Sequence, residues 1–168
     1  MGIYVNSKNA YALYKKETAK PYFVDKTVLL KELFPLVEEG SHYLCITRPR
    51  RFGKTVMANM VASFFSKGHR ANDVFQNLQI YQDKDYEKYL NKYTVIHIMF
   101  NDLSRNFNSY KQYIERIEET LIKDLKKEYP DMPIDDQNAV WDTLLEIYAE
   151  KQDINIVFVF DEWVFIFF

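Results

Sequence analysis

A short basic segment combines the residue types that bind phosphate groups. In chain order it consists of Arg48, Pro49, Arg50, Arg51, Phe52, Gly53, Lys54 and Thr55. A glycine lets backbone amides approach phosphate oxygens without a Cβ in the way, and the start of a following helix offers free N–H groups and a positive dipole end. A lysine at this point reaches the β- and γ-phosphates, and a threonine hydroxyl binds Mg²⁺. We therefore predict nucleotide contacts from residues 50–55, with Lys54 also catalytic and Thr55 a metal ligand.

The match to a known phosphate-binding pattern is partial. The Walker A pattern is G-x-x-x-x-G-K-[ST], and Gly53, Lys54 and Thr55 satisfy its second half, while Arg48 replaces its first glycine. The alternative is a basic turn before a helix, with Gly53 as an ordinary turn residue. Taken alone, the motif leaves these two interpretations evenly balanced.

An acidic pair follows an apolar run near residue 160. The run Val157 to Phe160 leads directly into Asp161 and Glu162, as in a Walker B motif. Phosphoryl transfer needs neutralised phosphate charge and an oriented water, so we predict that Asp161 holds Mg²⁺ and that Glu162 polarises the attacking water. The alternative is a solubilising pair after a buried strand. The two motifs support each other because each predicts where the other lies in the fold.

The elements that would position these residues alternate between strand and helix. Apolar periodicity predicts strands at 43–47, 94–100 and 154–160, and helices at 25–33, 54–65, 107–128 and 137–149. Inward-facing side chains are predicted at Val28, Leu29, Leu33, Met57, Met60, Val61, Phe64, Phe65, Phe107, Tyr110, Ile114, Ile117, Leu121, Leu125, Val140, Trp141, Leu144 and Tyr148. This order predicts an α/β fold of the P-loop NTPase-like type, with a mostly parallel sheet flanked by helices. In such sheets ligands bind at the carboxyl ends of the strands.

The composition predicts one globular domain over residues 1–168, with 1–40 as an N-terminal lead-in and helix. The chain is 48% hydrophobic and 17% aromatic, which excludes a disordered chain. A formal net charge of -2 gives no global basic field for nucleic acid. The single cysteine, Cys45, fits a reducing cytoplasm. We find no signal peptide and no apolar run of membrane-spanning length, and we expect no membrane contact.

Three strings together resemble the bacterial predicted AAA-ATPase-like family. They are residues 22–27, with Val-Asp-Lys-Thr at 24–27, residues 47–55, with the Arg-Pro-Arg-Arg-Phe-Gly-Lys string, and residues 160–163, with Asp161-Glu162. An arginine in place of the first Walker glycine is usual in this family. The resemblance covers nearly the whole chain, and the basic string is its most specific part. It implies a P-loop fold with a catalytic glutamate, and ATP and Mg²⁺ as ligands.

The family resemblance also implies parts beyond these motifs. Many members carry a nuclease-like domain of the restriction-endonuclease type after the ATPase domain, so a nuclease-like domain or subunit, or self-association, is expected, with nucleic acid contacted only indirectly. A later strand with a polar sensor residue is expected between the two motif-bearing strands, and an arginine finger beyond it. The sequence ends at Phe168, so we expect a truncated or interrupted chain.

Several other features each have a plain structural interpretation. Asp25, Lys26 and Thr27 either border the nucleotide base, as the equivalent segment often does in related ATPases, or begin a helix that Asp25 caps. Asn101 and Asp102 follow the second strand and either approach the site or form a turn. Two further predictions are a core or edge role for histidine 97 and a half-buried helix with surface lysines at 81–93, preferred over a nucleic-acid stacking platform.

Three functions remain open from the residues alone. The first is an ATPase, which binds through Lys54, Thr55 and Asp161 and hydrolyses through Glu162. The second is a non-hydrolysing nucleotide-sensing or degenerate module that acts through a partner. The third is the ATPase part of a nucleic-acid-processing system, which only the family link supports. ATP is preferred over GTP because no guanine-reading Asn-Lys-x-Asp string is present.

Overall fold

Helical elements precede each of two strands in the computed structural model, which describes residues 2–40, 43–47, 49, 52–101, 109–151 and 154–162. The elements are α1 (Lys8–Thr18), a first 3-10 helix (Thr27–Leu33), α2 (Phe34–Glu39), α3 (Lys54–Phe65), α4 (Asn72–Phe75), a second 3-10 helix (Gln79–Gln82), α5 (Tyr86–Tyr89), β1 (Thr94–Met99), α6 (Tyr110–Glu128), α7 (Val140–Glu150) and β2 (Ile156–Asp161).

The two strands form a parallel sheet with helices on both faces. The register runs from Thr94 opposite Ile156 to Met99 opposite Asp161. One face packs into a core cluster built largely from α1, α3 and the aromatic segments that follow α3. The other face packs into a second cluster that includes α6 and α7. The predicted α/β class, with a parallel sheet between helices, is confirmed.

The strand predicted at residues 43–47 was wrong. No strand is assigned to these residues, and Tyr43, Leu44 and Ile46 are exposed. Cys45 in the same run is exposed too. An apolar run becomes a strand only when a neighbouring strand accepts its backbone hydrogen bonds, and the described residues provide no such ladder for 43–47.

The outer edge of β1 pairs instead with the start of the chain. Val5 forms an antiparallel bridge with Ile96, and the Asn6 N–H donates to the Val95 carbonyl at 2.8 Å. The Asp124 carboxylate of α6 accepts the Val5 N–H at 3.3 Å. The N-terminal lead-in therefore lies along the outer edge of β1, where its backbone groups satisfy part of an edge that would otherwise stay unpaired.

Helix α1 lies in the region that was predicted only as a lead-in. Ser7 caps its start by accepting the Asn9 N–H at 3.2 Å. Ala10 and Tyr14 are its buried residues, and their spacing of four is the helical period. With only two buried residues, α1 has a weak apolar periodicity in the sequence. Its capping residue, Ser7, could have indicated the helix.

The helix predicted at residues 25–33 is a 3-10 helix that begins at Thr27. A 3-10 helix has about three residues per turn, so positions three apart share a face. Thr27 and Leu30 are fully buried and Leu33 packs against the core. Val28 and Leu29, predicted to face inward, are 44% and 37% exposed. That prediction was wrong because it assumed the α-helical period.

Helix α3 has the predicted bounds, Lys54–Phe65, and its apolar side is buried as expected. Met60, Phe64 and Phe65 are at most 2% exposed. Around them lies an aromatic cluster in which the Phe34 ring stacks on Tyr89 with a centroid distance of 4.0 Å. Aromatic burial of this kind dominates core energetics, so α3 is held firmly between the sheet and its neighbouring helices.

The last two helices form with shifted bounds and a partly different buried side. The structure places them at Tyr110–Glu128 and Val140–Glu150, and the predicted core residue at position 107 lies outside the described residues. Leu144 and Ile147 are buried, whereas Trp141, Tyr148 and Tyr110, predicted inward, are 67%, 44% and 57% exposed. Because the buried stripe of α7 is narrow, Trp141 and Tyr148 fall on its solvent side.

The segment predicted as one helix at 81–93 consists of shorter pieces. The second 3-10 helix ends at Gln82 and α5 spans Tyr86–Tyr89. Tyr89 and Tyr93 are buried, while Lys88 reaches the surface and pairs with Glu38. The single-helix prediction was wrong, but buried tyrosines with an exposed lysine agree with the half-buried character that we expected.

Candidate functional site

The direction of α3 decides which end of the sheet its first residues approach. Its C-terminal end is tied to the residue before β1, since the Tyr93 N–H donates to the Phe65 carbonyl at 2.9 Å and the Lys67 N–H to the Tyr93 carbonyl at 2.8 Å. The helix packs against both strands, so it runs antiparallel to them. A helix of this length spans about 18 Å and each strand about 20 Å. The start of α3 therefore reaches the carboxyl ends of β1 and β2, where ligands bind in parallel sheets.

Gly53 begins α3 in a conformation that favours glycine. Its φ is 77°, in the left-handed region, and it makes no side-chain capping hydrogen bond. Its carbonyl accepts the Met57 N–H at 3.0 Å. Lys54 and Thr55 are the first two helical residues and are partly buried, while Phe52 is 58% exposed. The first-turn amides have no intrahelical acceptor, so they are suited to an anion.

Some of the predicted nucleotide-binding residues lie outside the described residues. These are Arg50 and Arg51, so their contacts stay predictions, and Arg48 of the same basic segment also lies outside the described residues. The same holds for Asp102, whereas Asn101 is described and exposed beyond the end of β1. The described part of the predicted loop is thus Pro49 and residues 52–55.

Asp161 is the last residue of β2, opposite Met99, and it is 5% exposed. Val157 and Val159 of the same strand pack into the α3-containing cluster. Because strand side chains alternate, Asp161 points to that same face. Its Oδ1 accepts the Glu162 N–H at 3.0 Å, but its buried Oδ2 has no hydrogen-bond partner within the described ranges. A buried carboxylate oxygen without a donor is costly, and a cation would satisfy it.

Glu162, directly after β2, has an unusual backbone conformation. Its φ is 53°, a left-handed value that is uncommon for a residue with a Cβ. Its N–H bonds to the preceding carboxylate, which stabilises this conformation directly after the strand. Sequence reasoning predicted the residue as catalytic but had no signal for this backbone conformation. The side chain is partly buried, so part of it remains accessible to solvent.

His97 is a core histidine, as its position in a strand predicted. It is 6% exposed and lies on the same face of the sheet as Asp161, by strand alternation. Burial lowers the pKa of His97 to about 4, and the negative charge of Asp161 opposes this shift only in part. The imidazole is therefore neutral at neutral pH.

The described residues can hold Mg²⁺ only if a bound phosphate supplies further ligands to the metal. Among them, no group of three His, Cys, Asp or Glu side chains could hold a metal ion. Mg²⁺ in nucleotide sites is usually held by one or two carboxylates, substrate phosphates and water. The unpartnered Oδ2 of Asp161 and the Thr55 hydroxyl at the start of α3 suit that arrangement, with phosphate and water as the other ligands.

The residues Asp25 and Thr27 form a tether that links the two 3-10 helices. One Asp25 oxygen accepts the Thr27 N–H at 2.8 Å and the Thr27 hydroxyl at 2.7 Å. Its other oxygen accepts the Gln79 N–H at 2.7 Å. The Thr27 hydroxyl in turn accepts the Ile80 N–H at 3.1 Å. Asp25 therefore caps helix starts, which agrees with the capping interpretation; its second partner, far along the chain, was not foreseen.

Replacement of Thr27 by valine is expected to destabilise the protein by about 1–3 kcal/mol, since the isosteric change leaves the Ile80 amide without its acceptor in a buried position. Urea unfolding followed by circular dichroism would measure the change. The matched control is Thr18→Val, which removes an exposed hydroxyl bond to the Lys15 carbonyl and should change stability by less than about 0.5 kcal/mol. Equal unfolding midpoints for the two variants would contradict the tether.

The fold and the two motifs define an α/β protein with a parallel sheet. Gly53 at the start of α3 and Asp161 at the end of β2 lie at the same end of that sheet. A family model described as Predicted AAA-ATPase matches residues 13–165. The chain therefore belongs to this AAA-ATPase-like family, a family of predicted ATPases. Membership supports, in general terms, that the chain binds a nucleotide and that the nucleotide is ATP.

Other comparisons with known proteins give less information about this chain. A protein described as "Uncharacterized protein in vnfD 5'region" from Azotobacter chroococcum mcd 1 is 33% identical over 79 residues, which are 47% of this chain and 13% of that relative. The match thus spans a small part of the relative's length. No solved structure matches with statistical significance. Within the described residues, no helix is both long and apolar enough to cross a membrane.

Proposed function

We propose that this protein binds ATP together with Mg²⁺ and hydrolyses it. The observation that carries the proposal is the antiparallel run of α3 against β1 and β2. It brings the helix start that contains Lys54 and Thr55 to the end of the sheet where β2 terminates in Asp161. Membership of a family of predicted ATPases supports the same activity.

Each residue in the proposal has a chemical role. Gly53 and the first-turn amides of α3 bind phosphate oxygens, and Lys54 neutralises the β- and γ-phosphates. Thr55 and Asp161 hold Mg²⁺, which offsets the charge that develops on the phosphates. Glu162 orients and polarises the attacking water.

Further contacts and partners belong to the same proposal. Arg50, Arg51 and Phe52 contribute to nucleotide binding beside the helix start. Self-association, or a nuclease-like domain or subunit, accompanies the ATPase and brings it near nucleic acid only indirectly. These partners rest only on the sequence resemblance described above.

Titration of the wild-type protein with ATP by isothermal calorimetry tests the proposal directly. We expect saturable binding with excess Mg²⁺ and a loss of affinity of about tenfold or more, or at least about 1.4 kcal/mol, when EDTA removes the metal. The reason is that Asp161 and the phosphates repel one another without the cation. Circular dichroism would establish that the sample is folded. A folded sample that binds no ATP in either buffer would refute the proposal.

A further inference from the structure

The side chain of Lys26 ends beside the glycine that begins α3. Its Nζ lies 4.0 Å from the position that a Cβ would occupy on Gly53. The residue is partly buried, and it forms no ion pair with any carboxylate in the part of the chain that the structure describes. A lysine from a segment well before the basic loop in sequence thus comes to the start of the helix.

The residues on either side of Lys26 hold it in place. Asp25 is bound to the Gln79 amide and Thr27 to the Ile80 amide, and Thr27 is fully buried. Both neighbours are therefore anchored to the second 3-10 helix. Because anchored residues lie directly before and after it, the backbone of Lys26 has little freedom to move away from Gly53.

The electrostatics of this position favour an anion. The N-terminal end of a helix carries a partial positive charge, and cations there are unfavourable. Lys54 is the first residue of α3, and the ammonium group of Lys26 lies close to Gly53. A phosphate bound at this end of the helix would offset the unfavourable position of the Lys26 charge.

We propose that Lys26 is a second phosphate-binding lysine of the nucleotide site and contacts the polyphosphate of ATP. This inference rests on the function proposed above. It gives the Asp25-Lys26-Thr27 segment a divided role, in which the outer two residues fix the backbone and the middle residue binds the ligand. It also assigns the segment to the phosphates and not to the nucleotide base.

The test compares Lys26→Met and Lys26→Arg with wild type by calorimetric titration, using MgATP and inorganic tripolyphosphate as the two ligands. Loss of a charge-assisted contact should weaken binding of both ligands about 10- to 100-fold in the methionine variant. The arginine variant keeps the charge and should retain most of the affinity. Lys123→Met is the matched control, since Lys123 is exposed on α6, which packs on the opposite face of the sheet; it should bind both ligands like wild type.

The outcomes separate this inference from the proposed function. Unchanged MgATP affinity in Lys26→Met, with binding lost in Lys54→Ala, would overturn the role of Lys26 and leave the nucleotide site standing. Wild type that binds neither ligand would overturn both. Loss of ATP binding with tripolyphosphate binding intact would assign Lys26 to the nucleoside and not to the phosphates. A lowered melting temperature in both Lys26 variants, with affinity lost in both, would show a structural role instead.

Discussion

Replacement of Lys54 by alanine is expected to weaken ATP binding strongly. Truncation of one partner of a buried charge pair costs about 2–5 kcal/mol, which corresponds to a rise in the dissociation constant of about 30- to 5,000-fold. Lys54 occupies the first position of α3, directly after the left-handed Gly53, so its ammonium group would meet phosphates bound at the helix start. Calorimetric titration with MgATP of the wild type and the variant measures the loss.

A control for Lys54→Ala must remove the same charge elsewhere. Lys92 is exposed and lies just before β1, at the opposite end of the sheet from the proposed site. Lys92→Ala should therefore bind MgATP with wild-type affinity. Equal affinity in Lys54→Ala and Lys92→Ala would mean that the segment is an ordinary basic turn, which is the alternative left open by the partial motif.

Replacement of Glu162 by glutamine is expected to leave ATP binding intact and to slow hydrolysis by about 10²- to 10⁴-fold, the usual contribution of a positioned general base. The amide keeps the size of the side chain but cannot accept a proton from water. Glutamine also has the same backbone demands as glutamate at the left-handed φ of 53°, so the local fold should persist. Steady-state phosphate release and MgATP titration together test both halves of this expectation.

Glu150→Gln provides the comparison for Glu162→Gln, because Glu150 is exposed at the end of α7 and should affect neither binding nor turnover. If Glu162→Gln binds and hydrolyses like wild type, Glu162 is not the water-polarising residue. If the wild type itself binds ATP without turnover, the non-hydrolysing alternative is favoured. Loss of binding in Glu162→Gln would instead point to a role of Glu162 in nucleotide binding itself.

The sequence alone was sufficient for the elements whose signal is local. The bounds of α3 and the two strands of the sheet follow from apolar runs and helical periodicity within each segment. The roles of Lys54, Thr55, Asp161 and Glu162 stay predictions, which rest on residue types and their order in the two motifs. Patterns of this kind depend only on residues that are close together in the sequence.

Other features depend on contacts that no local pattern reports. Whether residues 43–47 form a strand depends on a ladder partner, and the pairing of Val5 with Ile96 joins segments far apart in sequence. The 3-10 helix at Thr27–Leu33 buries Thr27 and Leu30 and leaves Val28 and Leu29 exposed, which the α-helical period did not predict. These were the points at which prediction from periodicity failed.

What the sequence by itself determined is the α/β class, the α3 helix and the residues proposed for the site. What only the tertiary structure decided is their arrangement: the antiparallel run of α3, the buried unpartnered oxygen of Asp161, and the approach of Lys26 to Gly53. The physical reason is that direction, burial and proximity arise from packing and hydrogen bonds between distant segments, such as the bond from Tyr93 to Phe65.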